Sequence, residues 1–289
     1  MPCRINRKRQ WTHRIMLEAM LHPGNSFITL TYSEKTLPLN SSGLPILIPK
    51  DLQDWLKRLR KEIAPLVIRF YAVGEYGDVS QRPHYHLALF NWPVCSRGRT
   101  FYSFSRFYDG PPRCCDNCRI LHDTWGKGRI DCGTLEVSSA QYIAGYVTKK
   151  MTSKDDGRLN GRPPEFARMS RRPGIGADAM LKVAETFSHF NLEDVQSDVP
   201  SALRHGSRLL PLDRYLRRKL RKALGRDEKP SEEALAEIKA QMQVVWDSVF
   251  DSTPAIRHAK FKQAMIDQEA NKVASMESRA RIFRKRSTI

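Results

Sequence analysis

The tightest limit on this chain is set by Arg69 to Phe90, RFYAVGEYGDVSQRPHYHLALF. Two apolar runs, Leu66 to Val73 and His84 to Phe90, read as strands separated by a turn-rich linker. Side chains alternate faces along a strand, so His84 and His86 project together while Tyr85 points the other way. A hairpin through Gly77 and Asp78 then brings the Glu75 carboxylate beside both imidazoles. Two histidines and one carboxylate leave coordination positions open, as a catalytic metal site requires. A His-x-His pair on a strand is commonly just two polar residues, so the weight of this reading comes from its surroundings.

The chain carries 49 Lys and Arg against 31 Asp and Glu, a net charge of +18, with 40% hydrophobic residues. That is enough apolar content for a packed core, and the basic excess points to a polyanionic partner, nucleic acid before a membrane surface. No run of about 18 apolar residues is present, which excludes a spanning helix. The basic N-terminus, MPCRINRKRQW, has no apolar segment after it, so no secretory signal is expected. Six cysteines without an export signal imply reduced thiols or metal ligands, and hence a cytosolic compartment.

Residues 1–26 read as a basic arm with helical potential from Trp11 to Leu21. Phe27 to Tyr32 is a β-branched and aromatic strand. Leu52, Trp55, Leu56, Leu59 and Ile63 recur at helical spacing from about Lys50, and Pro65 ends that helix. Residues 91–133 read as loop, with a short strand within Arg129 to Val137. A helix capped by Ser138 or Ser139 runs to about Met151. Residues 152–176 read as a basic Gly/Pro-rich loop, Ala177 to Phe190 as a helix, and the remainder as basic helical patterns in which Ser231 caps a helix. No Walker A sequence is present, so no fused helicase is expected.

Within the helix before Met151, Tyr142 and Tyr146 are one turn apart. Ala140, Ile143, Ala144, Val147 and Met151 gather into an apolar stripe, while Tyr142, Tyr146 and Lys149 fall opposite, with Lys150 at the edge. A phenol titrates near 10, so a neighbouring ammonium or metal ion is needed to favour the phenolate. An activated phenolate can attack phosphorus and form a covalent intermediate. Exposed tyrosines at this spacing are also common without any such role.

Taken together, these motifs resemble HUH-type replication initiation endonucleases of small single-stranded DNA phages, nearest the gokushovirus-like branch of the microviruses. The resemblance rests on Phe27 to Tyr32, on Gly74 to Asp78 with Arg82 to His86, and on Tyr142-x-x-x-Tyr146-x-x-Lys149. The basic Pro-Gly stretch from Met169 to Gly176 adds to it, and the likeness covers about residues 25–180. It implies an α+β fold with a central antiparallel sheet, RRM/ferredoxin-like, and flanking helices. The endonuclease domain would span residues 27–190, with a Cys-rich insert at about 95–132 and a basic helical region at 191–289.

The resemblance further implies Mg2+ or Mn2+ held by Glu75, His84 and His86. Tyr146 would be the first nucleophile and Tyr142 the second, with Lys149 or Lys150 supporting the phenolate. Arg82, Arg171 and Arg172 would contact DNA, and Tyr76 or Phe70 would stack on bases. The implied activity nicks single-stranded or supercoiled origin DNA, leaving a 5′-phosphotyrosine and a 3′-OH for rolling-circle synthesis. A host helicase and polymerase would be partners in the bacterial cytoplasm, with no membrane involved.

The insert departs from the family pattern. Cys115-x-x-Cys118 has zinc-ligand spacing, and Cys132 with His122 or Cys95 would complete a structural Zn2+ site that also includes the neighbouring Cys114. Free thiols in a loop are the competing reading. For the whole chain, the alternatives are a nucleic-acid-binding module with an RRM-like sheet and no cleavage, or a metal phosphoesterase that does not need the tyrosines.

Overall fold

The structure is a computed structural model that describes residues 2–77, 80–104, 108, 110–146, 156–192, 198–205, 208–249 and 253–286. Two compact units are present, residues 8–179 and residues 1–7 with 180–289.

The first unit is built on an antiparallel sheet of five strands in the order β4-β1-β3-β2-β5. The strands are β1 (Asn25–Thr31), β2 (Arg69–Tyr76), β3 (Pro83–Phe90), β4 (Ile130–Thr134) and β5 (Phe166–Met169). The α+β fold expected from sequence is therefore the observed one. β3 lies at the centre, paired on one side with β1 and on the other with β2. It is buried along its length except at His84, which accounts for its near-continuous apolar run.

Strand alternation divides the sheet between two cores. Ile28, Leu30, Tyr85, Leu87 and Leu89 face α2 (Pro49–Glu62) and α3 (Asp116–Trp125). Leu52, Trp55, Leu56 and Leu59 of α2 are buried there, the stripe read from the sequence. The indole of Trp125 donates to the Thr31 carbonyl at 2.9 Å and packs edge-on to Trp55 and Tyr85. The opposite face carries Tyr71, Val73, Ala88 and Phe90. It is covered by Ile15 of α1 (Pro2–Ala19) and by Ala140, Ile143 and Ala144 of α4 (Val137–Tyr146).

Several elements differ from the sequence reading. Much of the expected basic arm is helix α1, whose Ile15 and Leu17 are buried and whose Trp11 lies 5.0 Å from the ring of Tyr71. Strand β2 starts three residues later than expected and extends through Gly74, Glu75 and Tyr76, because pairing with β3 continues to Pro83. Helix α3 and strand β5 occupy regions read as loop. Tyr76 is buried, its hydroxyl donating to the Pro163 carbonyl at 2.9 Å, so it is not available to stack on a base. Phe70 is half-buried against the α2 core under the Arg60 guanidinium.

The basic Pro-Gly stretch is a pinned loop. Arg69 donates to the Pro173 carbonyl at 2.8 Å, Arg14 to the Ile175 carbonyl at 2.9 Å, and the Gly176 amide to Glu18 at 2.7 Å. The buried Glu18 carboxylate also accepts from Arg69. Gly176 has φ +77, and a Cβ there would sit 2.9 Å from the Arg14 carbonyl oxygen, which restricts the position to glycine. Arg171 and Arg172 stand exposed on this loop.

The second unit contains α5 (Ala179–His189), a hairpin of β6 (Ala202–His205) and β7 (Arg208–Pro211), then α6 (Arg214–Ala223), α7 (Glu232–Ser248) and α8 (Pro254–Arg286). The hairpin was not expected from the sequence, whereas Ser231 caps α7 as read, accepting from the Ala234 amide at 3.1 Å. The Arg221 guanidinium is buried and chelates Asp198 through Nε at 2.6 Å and Nη2 at 2.7 Å. No helix among the described residues is long and apolar enough to cross a membrane.

Candidate active site

The antiparallel register sets Glu75 of β2 opposite His84 of β3, and Thr29 of β1 opposite His86. All four side chains therefore share the α1/α4 face, beyond the point where Ala88 and Phe90 close it. Tyr85 turns to the other face as expected. Its hydroxyl bonds that of Tyr32 at 2.7 Å and the Ile48 backbone at 3.0 Å.

Glu75 and His86 are buried, and Glu75 Oε1 is 2.9 Å from His86 Nε2. The other ring nitrogen, Nδ1, is 3.0 Å from Thr29 Oγ1. A carboxylate can only accept, so in a neutral ring Nε2 carries the hydrogen and Nδ1 accepts from the threonine hydroxyl. His84 is oriented by backbone: its Nδ1 donates to the Arg82 carbonyl at 2.8 Å, leaving Nε2 with a bare lone pair. Burial, reinforced by neighbouring His86, holds the His84 pKa below the ordinary imidazole value and so favours the neutral ring, the form that ligates metals. The two imidazoles stand nearly parallel, 7° between planes and 6.2 Å between centroids.

Both phenols of α4 reach this group. Tyr142 OH donates to Glu75 Oε1 at 3.3 Å, and its ring lies edge-on to His86 at 5.2 Å. Tyr146 is stacked on His86 at 6.1 Å, and the two phenol rings are 5.0 Å apart. Their exposures differ: Tyr142 is 44% exposed and Tyr146 6%. Tyr146 thus departs from the helical-wheel expectation, because it joins the apolar cluster under α4 instead of an open face. Phe27 stacks on His86 from the β1 side at 5.7 Å, completing an aromatic frame around the ring.

The donors suit a hard divalent cation in kind: a carboxylate oxygen and two imidazoles, of which His84 presents Nε2 directly, whereas His86 would ligate through Nε2 only with its ring hydrogen on Nδ1, donated to Thr29 Oγ1. Glu75 and His86 are drawn together, whereas the triplet with His84 does not converge as closely as a set of cysteine sulfurs described below. Lys149 and Lys150 lie outside the described residues. Arg82 bonds Glu34 and the Tyr32 carbonyl, so it holds the end of β1.

Thr29 was not picked out from the sequence as a site residue. The available signal was the even spacing of Phe27, Thr29 and Thr31 in a strand beside the histidine strand, which puts a hydroxyl on the site face.

In the insert, Cys95, Cys114, Cys115 and Cys118 bring their sulfurs within 4.8 Å of one another. These are four of the six candidate zinc ligands read from the sequence. His122 is one turn further along α3, its Nδ1 3.0 Å from Asp123, and the Cys132 thiol faces the Pro93 carbonyl at 3.9 Å. Cys114 and Cys95 stand with the CxxC pair.

The protein is thus of the α+β class, with a five-stranded antiparallel sheet that carries two imidazoles, a carboxylate and two helix-borne phenols on one face. Over residues 25–151, from the first residue of β1 and through the helix that carries Tyr142 and Tyr146, the chain matches the model of the replication-associated protein ORF2/G2P family. It is 35% identical over 187 residues to the replication-associated protein ORF2 of Spiroplasma virus 4, covering 63% of this chain and 56% of that protein. It is 29% identical over 205 residues to the replication-associated protein VP4 of Bdellovibrio phage phiMH2K, covering 65% and 58%. To the replication-associated protein ORF4 of Chlamydia phage 1 it is 30% identical over 151 residues, covering 51% and 36%. The chain thus spans a little over half the length of the first two relatives. No solved structure matches it.

Proposed function

We propose that this protein initiates phage DNA replication by nicking a single-stranded origin with a tyrosine and later rejoining the strand. The observation that carries the reading is the chain of contacts Tyr142–Glu75–His86, which sets an exposed phenol hydroxyl beside a buried carboxylate and imidazole. Glu75, His84 and His86 would hold Mg2+ or Mn2+. Such an ion, when bound, polarises the scissile phosphate and offsets developing charge.

The remaining chemistry belongs to the chain. Once its proton has left, a phenol oxygen attacks phosphorus, forming a P–O(Tyr) bond. The P–O3′ bond breaks, and its electron pair stays on the 3′ oxygen, which takes up a proton. The products are a 5′-phosphotyrosine and a 3′-OH able to prime rolling-circle synthesis. Attack of a 3′-OH on the phosphotyrosine reverses the bond changes and reseals the strand.

Exposure and the Glu75 contact favour Tyr142 for the first attack, with Tyr146 as its alternate. This is the reverse of the order implied by the Tyr-x-x-Lys register. Lys149 and Lys150 are assigned to the phenolate, and Arg171 and Arg172 to phosphates. Residues 27–190 form the endonuclease domain on this reading, and residues 191–289 a basic helical region. Origin DNA, a host helicase and a host polymerase are the partners, in the bacterial cytoplasm.

The test is incubation with single-stranded origin oligonucleotides and Mn2+, followed by mass spectrometry. A DNA adduct on the peptide containing Tyr142 and Tyr146 is expected. Binding with no adduct would leave a nucleic-acid-binding module, and cleavage that survives replacement of both tyrosines would leave a metal phosphoesterase.

A further inference from the structure

We propose that Cys95, Cys114, Cys115 and Cys118 form a structural tetrathiolate Zn2+ site, separate from the imidazole site and on the α3 side of the sheet. A tetrahedral Zn2+ with Zn–S bonds of about 2.3 Å sets its ligand sulfurs about 3.8 Å apart. The sulfurs of Cys95 and Cys115 are 3.9 Å apart, and all four fall within 4.8 Å of one another. A disulfide needs about 2.05 Å, so the spacing matches a shared ion and not a covalent bridge. Cys95 and Cys118 are buried.

Local structure supports thiolates at this place. Cys115 is the N-cap residue of α3, with its sulfur 3.9 Å from that of Cys95. Cys118 follows in the first turn. The Cys115 sulfur therefore sits where the helix N-terminus favours negative charge. Thr100 Oγ1 lies 3.3 Å from Cys118 Sγ and accepts from the Cys132 amide at 2.8 Å, so its hydroxyl hydrogen is directed to the sulfur. A ligand sulfur held by a fixed donor is typical of metal sites.

Soft thiolates select Zn2+ over the hard ions suited to Glu75, so the two sites take different metals. The thiolate site ties the segment after β3 to the start of α3, closing the insert onto the helix that carries Trp125. It is thus a fastening for the insert, with no part in strand cleavage.

The experiment uses the full chain purified without chelator from zinc-supplemented cells. Elemental analysis is expected to give one Zn2+ per chain, and the zinc X-ray absorption edge a shell of four sulfurs. Cys115→Ser should lose the metal. Cys132→Ser and the double change His84→Ala/His86→Ala should keep it, and Co2+ substitution should give the bands of a tetrahedral tetrathiolate. Less than half an equivalent of zinc overturns the proposal, as does a shell containing nitrogen or oxygen. Loss of zinc on removing the two histidines, or two disulfides found by non-reducing mass spectrometry, would overturn it equally. The absorption measurement on the unaltered chain holds even if Cys115→Ser does not fold.

Discussion

Thr29 Oγ1 and Glu75 Oε1 grip the two nitrogens of the His86 ring from opposite sides, at 3.0 and 2.9 Å. The ring is fixed by its neighbours on both flanking strands, and the outer phenol of α4 meets the same carboxylate oxygen.

Removing that threonine hydroxyl leaves the ring free to turn without touching any ligand atom. Thr29→Val is expected to weaken Mn2+ binding by about 10–100-fold while the protein stays folded. The Mn2+ concentration dependence of nicking measures it, and an unchanged midpoint would show that Thr29 does not position His86.

The two phenols should separate under single replacement. Tyr142→Phe is expected to lower first-strand cleavage by at least about two orders of magnitude, whereas Tyr146→Phe mainly impairs rejoining. Adduct yield against time on an origin oligonucleotide distinguishes them. A larger cleavage defect in Tyr146→Phe would reverse the order and restore the one implied by the Tyr-x-x-Lys register.

Arg171 and Arg172 are exposed on a loop fastened beneath them, which suits phosphate contact at fixed positions. Replacing both by Ala should weaken single-strand binding uniformly across sequences. The slope of log affinity against log salt should become shallower by about 1 to 2. Fluorescence anisotropy at several salt concentrations reads this directly, and an unchanged slope would remove both arginines from the interface.

Trp125 is nearly fully buried and spends its indole hydrogen on the Thr31 carbonyl. Trp125→Ala is expected to cost about 3–5 kcal/mol, from lost burial and an unfilled cavity. Urea unfolding of the variant tests this, and a loss under 1 kcal/mol would mean that α3 contributes little to the α2-side core.

Asp198 provides a pH prediction. Burial raises its pKa, but the Arg221 and Arg217 guanidiniums outweigh that, and the net shift is downward. A depressed carboxyl stabilises the fold above its unfolded value, near 3.9, and this contribution disappears as pH falls through the folded value. Asp198→Asn should therefore destabilise the C-terminal unit at pH 7 by about 1–3 kcal/mol. The difference from the unaltered protein should shrink below about pH 4. Thermal unfolding across pH 3–7 reads both limits.

The sheet and α2 were legible because their signals are periodic. The alternation around His84 and His86 gave the shared face, and Leu52, Trp55, Leu56 and Leu59 gave the helix stripe. Helix α3 was not, since its buried stripe of Cys118, Leu121 and Trp125 includes a cysteine and the rest of its ten residues are mostly polar. The αL glycine that ends it, Gly126, was the overlooked boundary signal. β5 is four residues long and exists because β2 offers it an edge, which no local pattern encodes. Thr29 and the burial of Tyr146 depend on register and on how α4 lies over the sheet, so they become visible only once the strands are paired.

Glu18 joins the first helix to β2 through Arg69 and to the Gly176 amide, 158 positions downstream. The far end of the family-matched sheet and the arginine-bearing loop therefore share one anchor near the start of the chain. Shortening the protein from its N-terminus past Glu18 would unmoor that loop and blur where a bound strand is held relative to the phenols.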